Sequence, residues 1–167
     1  KNYKLLIQQS IQQLNLASEH VEQLRREMDA LAATLPEYGT VMGIYGVGNT
    51  YGPQLMAEIG DVSRFTHREA LTAFAGVDPG VDESGQRKSK SNRASKIGSA
   101  RLRKTLFQIM TTLLQNAPQD DPVYRFLDKK RSEGKPYYVY MTAGANKFLR
   151  IYYGKVKECL RNLEQPE

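Results

Sequence analysis

With 167 residues, 24 Lys and Arg against 18 Asp and Glu, and a formal net charge of +6, the chain is long enough for one ordinary domain plus an extension. Its cationic excess predicts nucleic acid as the partner, through counterion release, over a membrane or an acidic protein. No apolar run reaches membrane-spanning length and no signal peptide is visible. A single cysteine, Cys159, excludes an internal disulfide and suits a reducing compartment. It stands at helical spacing from Val156 and Leu163, which reads as a buried core thiol. The chain opens at Lys1 directly in a helical repeat, which reads as a fragment with an upstream part missing.

Residues 3–35 form one long predicted helix. Ile7, Leu14, Val21, Met28 and Leu35 recur at heptad spacing, with Ile11, Ala17, Leu24, Leu31 and Ala32 widening the stripe and no Gly or Pro before Pro36. This pattern predicts a coiled-coil or helical-hairpin arm over residues 1–36, although Lys4, Ser18 and Arg25 at the alternate core positions weaken a simple parallel zipper. The other reading is a helix packed along its own domain. After Pro36, a short helix is expected from Leu35 to Ile44. A Gly46-Val47-Gly48 turn follows, then a second helix from about Asn49 or Thr50, either of which can cap it, to Ile59. Two short helices joined by Gly-hydrophobic-Gly resemble a helix-hairpin-helix element, whose glycines let backbone N–H groups approach a phosphate. A plain packing corner has the same pattern.

Phe65 to Ala75 is expected to be helical, with Thr66 as cap and Glu69 completing a capping box. Gly76 ends it and Pro79-Gly80 turns the chain. Residues 80–98 have no periodic apolar pattern and read as loop, with room for a small hairpin around 76–90. A helix from about Ser99 to Asn116 buries Leu102, Leu106, Ile109, Met110 and Leu113. Asp120-Asp121-Pro122 starts another, ending near Glu133 and closed by Gly134. The last helix runs from about Tyr137 to Leu163 and is expected to bend at Gly144. The fold class is therefore all-α: a long coiled-coil helix, then a compact helical domain over residues 37–167 with a helix-hairpin-helix-like element and a basic loop.

The chemistry concentrates between residues 76 and 106. Arg87, Lys88, Lys90, Arg93, Lys96, Arg101, Arg103 and Lys104 follow one another with no acid after Glu83 until Asp120. Arg101, Arg103 and Lys104 occupy the first turn of a helix, where cations oppose the helix dipole, so an anion arriving there accounts for them. A solvated, solubilising loop is the alternative. Metal and acid–base chemistry are poorly supplied: His20 and His67 have no partner, no Cys/His cluster has zinc spacing, and no carboxylate triad stands out for magnesium. Asp120-Asp121 reads as helix capping. What remains is serine near guanidiniums that can stabilise charge growing on phosphate oxygens. Ser84 sits on turn backbone before Gly85, between the Pro-Gly turn and the basic loop. Ser95 and Ser99 are rivals, nearer to Lys96 and Arg101, and each also makes a good helix cap.

The ordered set Gly46-Val47-Gly48, Glu58-Ile59-Gly60-Asp61, Arg64-Phe65, Ala73-Phe74-Ala75-Gly76-Val77-Asp78-Pro79, Ser84-Gly85, Ser95-Lys96-Ile97-Gly98 and Leu102-Arg103-Lys104-Thr105-Leu106 resembles the carboxy-terminal domain of the IS110/IS116/IS902 transposases, which include the Piv-type DNA invertases. The likeness runs from about residue 38 to 155. The loop lacks the additional glycine that many members place before Ser95.

The resemblance implies a DNA recombinase domain whose serine nucleophile falls on Ser84; from their charge and position in the chain, Lys96, Arg101 and Arg103 are expected nearby as phosphate contacts. It implies no cofactor in this chain and magnesium in a separate, upstream RuvC-like domain joined by a coiled coil where residues 3–35 lie. Its implied partners are DNA, a bridging guide-like RNA in at least some members, and further copies of the chain as a dimer or tetramer through the coiled coil. The implied setting is the bacterial cytoplasm, at the nucleoid. Two other functions remain open: a non-catalytic nucleic-acid-binding and oligomerisation domain, which needs the charges and not the hydroxyl, and a helical adaptor for protein partners.

Overall fold

The computed structural model describes the backbone of residues 2–78, 83–84, 87–88 and 94–164, with side chains over 3–78 and 94–164. Among the described residues the fold is all-α apart from one small hairpin. In chain order the helices are α1 (Asn2–Ala32), α2 (Tyr38–Met42), α3 (Gly48–Ile59), a 3₁₀ turn (Val62–Arg64), α4 (Arg68–Ala75), α5 (Ala100–Asn116), α6 (Pro122–Ser132) and α7 (Tyr137–Glu164). Between α4 and α5, β1 (Glu83–Ser84) pairs antiparallel with β2 (Arg87–Lys88), Glu83 opposite Lys88 and Ser84 opposite Arg87. The expected turn at Pro79-Gly80 lies outside the described residues.

The core is built around α5. Leu102, Leu106, Ile109, Met110 and Leu113, spaced by three and four residues along it, are all buried as their periodicity predicts. They meet Leu55 and Ile59 of α3, Leu71 of α4, Leu127 of α6, and Met141, Phe148 and Tyr152 of α7. Removing a side chain of this size from water stabilises the fold by about 1.5–3 kcal/mol. α7 is the second organiser, packing on α2, α4, α5 and α6.

Local chemistry sets the helix ends. Asp121 caps α6, its Oδ1 accepting from the Val123 and Tyr124 N–H groups at 2.9 and 2.7 Å, with Pro122 at the first helical position. Two caps differ from expectation. α4 begins at Arg68, and it is the His67 ring, on extended backbone one residue before it, whose Nδ1 accepts from Ala70 N–H at 3.1 Å. Thr66 is one residue too early to reach that N–H. α3 begins at Gly48 behind Val47 and has no side-chain cap, because Asn49 and Thr50 already lie inside its first turn.

α7 runs through Gly144 as one continuous helix. A Cβ at Gly144 would lie 2.9 Å from Leu127 Cγ and 3.0 Å from Met110 Sδ, so the missing side chain lets α7 close on α5 and α6. Cys159 is not in the core. It is half-buried, its Sγ 4.0 Å from the Pro36 carbonyl, because the last turns of α7 run beyond the packed helices and leave Leu163 57% exposed.

Along α1, every described side chain from Tyr3 to Met28 is exposed, including Ile7, Leu14, Val21 and Leu24. The first sheltered residue is Asp29 and the first buried one is Ala32. α1 packs on α3, and Tyr38 Oη donates to Asp29 Oδ1 at 2.8 Å across the turn into α2. That hydrogen bond to a carboxylate raises the Tyr38 pKa.

Two substitutions test these packing arguments. Gly144→Ala overfills the α6–α7 contact and should lower stability by about 1–3 kcal/mol in chemical denaturation. Ala117, which closes α5 in the left-handed region at φ 45° with its N–H on Leu113 O, should behave oppositely. Ala117→Gly relieves that strain and should raise stability by about 1 kcal/mol.

Candidate nucleic-acid interface

The chain doubles back on itself where α4 gives way to the basic segment. Residues 95–99 run past the end of α4 and are bonded to it by backbone: Ser99 N–H to Phe74 O at 2.7 Å, Lys96 N–H to Gly76 O at 3.2 Å, and Ser95 N–H to Asp78 O at 3.0 Å. This approach needs glycine on both sides. Gly76 has φ 65° and a Cβ there would come within 2.8 Å of Ile97 O, while Gly98 has φ 128° and a Cβ there would run into the Phe74 carbonyl. Side chains reinforce the clasp. Ser95 Oγ donates to the Asp78 carboxylate, and Arg103 Nη1 donates to Ala75 O at 3.0 Å. Ser99 Oγ accepts from Leu102 N–H at 3.1 Å, capping α5, and donates to Glu58 Oε2 at 2.9 Å.

Beside the clasp lies an open cleft of about 1220 Å³. One wall is α5, through Ala100, Arg103, Lys104 and Phe107; the facing wall is α7, through Tyr138, Val139, Thr142, Asn146, Lys147 and Arg150. Val77, Asp78, Ala94 and Lys96, from the two ends of the 79–93 segment, form its rim, and Phe126 of α6 lies at its base. Among the described residues five cations and one carboxylate line it, and that carboxylate, Asp78, accepts from Ser95. The Lys147 ammonium stands 4.8 Å over the Phe126 ring. Arg150 approaches Glu69 at 3.5 Å. A hydrogen bond from Arg68 holds the Glu69 carboxyl below the usual carboxylate range, with the Arg150 charge adding to the effect.

The residues expected to contact nucleic acid fall into separate groups. Lys96, Arg103 and Lys104 converge on the cleft. Arg101 is exposed but does not line it, since it projects nearly half a turn around α5 from Arg103, on the side where Thr105 meets Gln54 of α3. Gly46 is remote: it packs against Ile109 and Leu113, roughly two turns further along α5 than Arg103 and about a third of a turn around it from Arg103 and Phe107. The Gly46-Val47-Gly48 turn and the basic cleft therefore do not form one surface. Ser84, Arg87 and Lys88 stand on the hairpin, described by backbone alone. Gly85, Lys90 and Arg93 lie outside the described residues.

The α7 wall was missed in the sequence. Its signal was there: Val139, Thr142, Asn146 and Arg150 recur at three- and four-residue spacing opposite the buried Met141, Ala145, Phe148 and Tyr152. The spacing showed a face without showing that it looks across at α5.

Residues 38–125 match the family described as Transposase IS116/IS110/IS902, which is just over half of the chain. The chain belongs to that family. The match takes in α2 to the start of α6, with the clasp, the hairpin and the α5 wall; α7 lies beyond it. No curated protein matches the chain. Among the described residues, no helix of this transposase-family chain is long and apolar enough to cross a membrane.

Lys96 itself adopts the left-handed region, at φ 53°. Such backbone costs a non-glycine residue about 1 kcal/mol. Lys96→Gly should leave thermal stability unchanged or higher while weakening DNA binding in an anisotropy titration. A loss of stability matching the loss of binding would show that Lys96 serves the clasp instead.

Proposed function

We propose that this chain is the DNA-recombination domain of an insertion-sequence transposase, with the α5–α7 cleft gripping a phosphodiester and Ser84 as the nucleophile. One observation carries the reading: the segment that contains Ser84 leaves and re-enters the fold at the rim of a strongly cationic cleft, pinned at both ends by the clasp. The competing serines are committed elsewhere, Ser95 to Asp78 and Ser99 to the α5 cap and Glu58.

In this reading Ser84 Oγ attacks phosphorus. The Oγ–P bond forms as one bridging P–O bond breaks, and the serine proton passes by way of solvent to the departing sugar oxygen. Charge growing on the non-bridging oxygens meets Lys96, Arg103 and Lys104, which favour the transition state more than the ground state. Among the described residues no three Asp, Glu, His or Cys side chains converge. The magnesium-binding acids belong, on the family resemblance, to a RuvC-like domain. The exposed heptad stripe of α1 supports pairing with another copy of the chain. A guide-like RNA would meet the same cations.

Two experiments test the proposal. Replacing Lys104 and Lys147 together by Gln should reduce the slope of log K against log salt for duplex DNA by about 2; an unchanged slope would remove the cleft from the interface. For the chemistry, the transposase carrying this domain together with its magnesium-binding acids is incubated with the element's end DNA and resolved on denaturing gels. Covalent protein–DNA adduct should vanish in Ser84→Ala and persist in Ser95→Ala and Ser99→Ala, with binding nearly intact in all three. Adduct surviving Ser84→Ala would move the nucleophile. Tight binding without adduct from any variant would leave a plain nucleic-acid-binding and oligomerisation module.

A further inference from the structure

We propose that the α5–α7 cleft receives one unstacked nucleotide of the DNA, its base against the aromatic floor and its phosphate on the cationic rim. The inference rests on the nucleic-acid reading above and deepens it, naming what enters the cleft.

The cleft is not built like a surface that only follows a duplex backbone. Such a surface needs cations and hydrogen-bond donors, and gains nothing from aromatic rings. Here the cations are interleaved with Phe107, Phe126 and Tyr138, contributed by three different helices. Phe107 and Phe126 are half-buried, so each keeps part of a ring open, and Tyr138 is 74% exposed at the mouth. Rings placed to finish the core are closed off by neighbours, as Phe148 is at 1% exposure.

The partners of the three rings assign their roles. Phe126 carries the Lys147 ammonium 4.8 Å from its centroid, so it holds that cation in place. Tyr138 touches Tyr137 at 5.2 Å with the rings nearly perpendicular. Phe107 has no aromatic or cationic ring partner among the described residues. Tyr138 and Phe107 are therefore the stacking surfaces. Arg103, Lys104 and Lys147 then surround the position of the attached phosphate.

Size and charge agree. The cleft exceeds the roughly 300–1,000 Å³ that encloses a drug-sized ligand, which leaves room for a base with its sugar and phosphate. A base inside a duplex presents only its edges to a protein, so a stacking surface in a cleft is useful only when a nucleotide leaves the helix or stands in a single strand. Serine attack on a phosphodiester benefits from the same distortion, which holds the scissile linkage away from the stack.

The test compares two fluorescein-labelled duplexes of one sequence, identical except that the second places a central adenine opposite an abasic site so that it can leave the stack. Anisotropy titrations of the protein at fixed salt should show the interrupted duplex binding roughly tenfold more tightly, the scale of one base–aromatic stack. Tyr138→Ala and, separately, Phe107→Leu should abolish most of that preference. Tyr138 is exposed, so its variant tests the idea even if Phe107→Leu disturbs packing. Equal affinity for the two duplexes, with binding intact, would overturn this inference and leave the nucleic-acid reading standing. A preference that survives both substitutions would place the extrahelical base elsewhere and equally overturn it. Binding to neither duplex would overturn the nucleic-acid reading and this one with it.

Discussion

Three backbone hydrogen bonds from Ser95, Lys96 and Ser99 to the end of α4 hold the functional half of this molecule together. They fix where α5 starts, and α5 in turn supplies both the centre of the core and one wall of the cleft. The clasp depends on two missing side chains, at Gly76 and Gly98, and on carboxylates that accept from the Ser95 and Ser99 hydroxyls. A backbone this tightly tied can carry a long excursion, residues 79–93, with both ends at defined positions. Loops anchored on a rigid scaffold are where binding and chemistry concentrate.

The electrostatics follow from the same construction. Arg103 spends part of its hydrogen-bonding capacity on Ala75 O, and Arg150 leans toward Glu69, so neither is a free charge. Pre-positioned cations lose less side-chain freedom when an anion arrives than flexible surface lysines do. Lys147 is held in a similar way, over the face of Phe126. The cleft is therefore cationic by placement as well as by composition.

Much of the scaffold was legible in the sequence because helices announce themselves locally. The five buried positions of α5, the Asp121 cap, the stop at Gly76 and the hairpin between α4 and α5 all follow from periodicity, capping and turn chemistry within a few residues. What stayed hidden depends on which faces meet. Gly46-Val47-Gly48 reads as phosphate-binding turn or packing corner with equal ease, and only the contact of Gly46 with Ile109 and Leu113 shows that it lies further along α5 than Arg103. The packing role of Gly144 shows only once Leu127 is found against it. Arg101 and Arg103 look equivalent in a basic run, yet two residues along a helix point about 160° apart by the 3.6-residue turn, and one of them misses the cleft. The contribution of α7, some forty residues further along, could not be inferred from spacing alone.

The free-standing first helix has a mechanical consequence. Thirty-one residues of α-helix span about 46 Å, held at one end by Ala32 in the core and the Tyr38–Asp29 hydrogen bond. A lever of that length turns a rotation of about 10° at its base into a movement of about 8 Å at its tip. Small adjustments where α1 leaves α3, beside Pro36 and Cys159, thus become displacements comparable to a couple of base-pair steps at the far end. Whatever the arm carries or grips is positioned by the stiffness of that one corner.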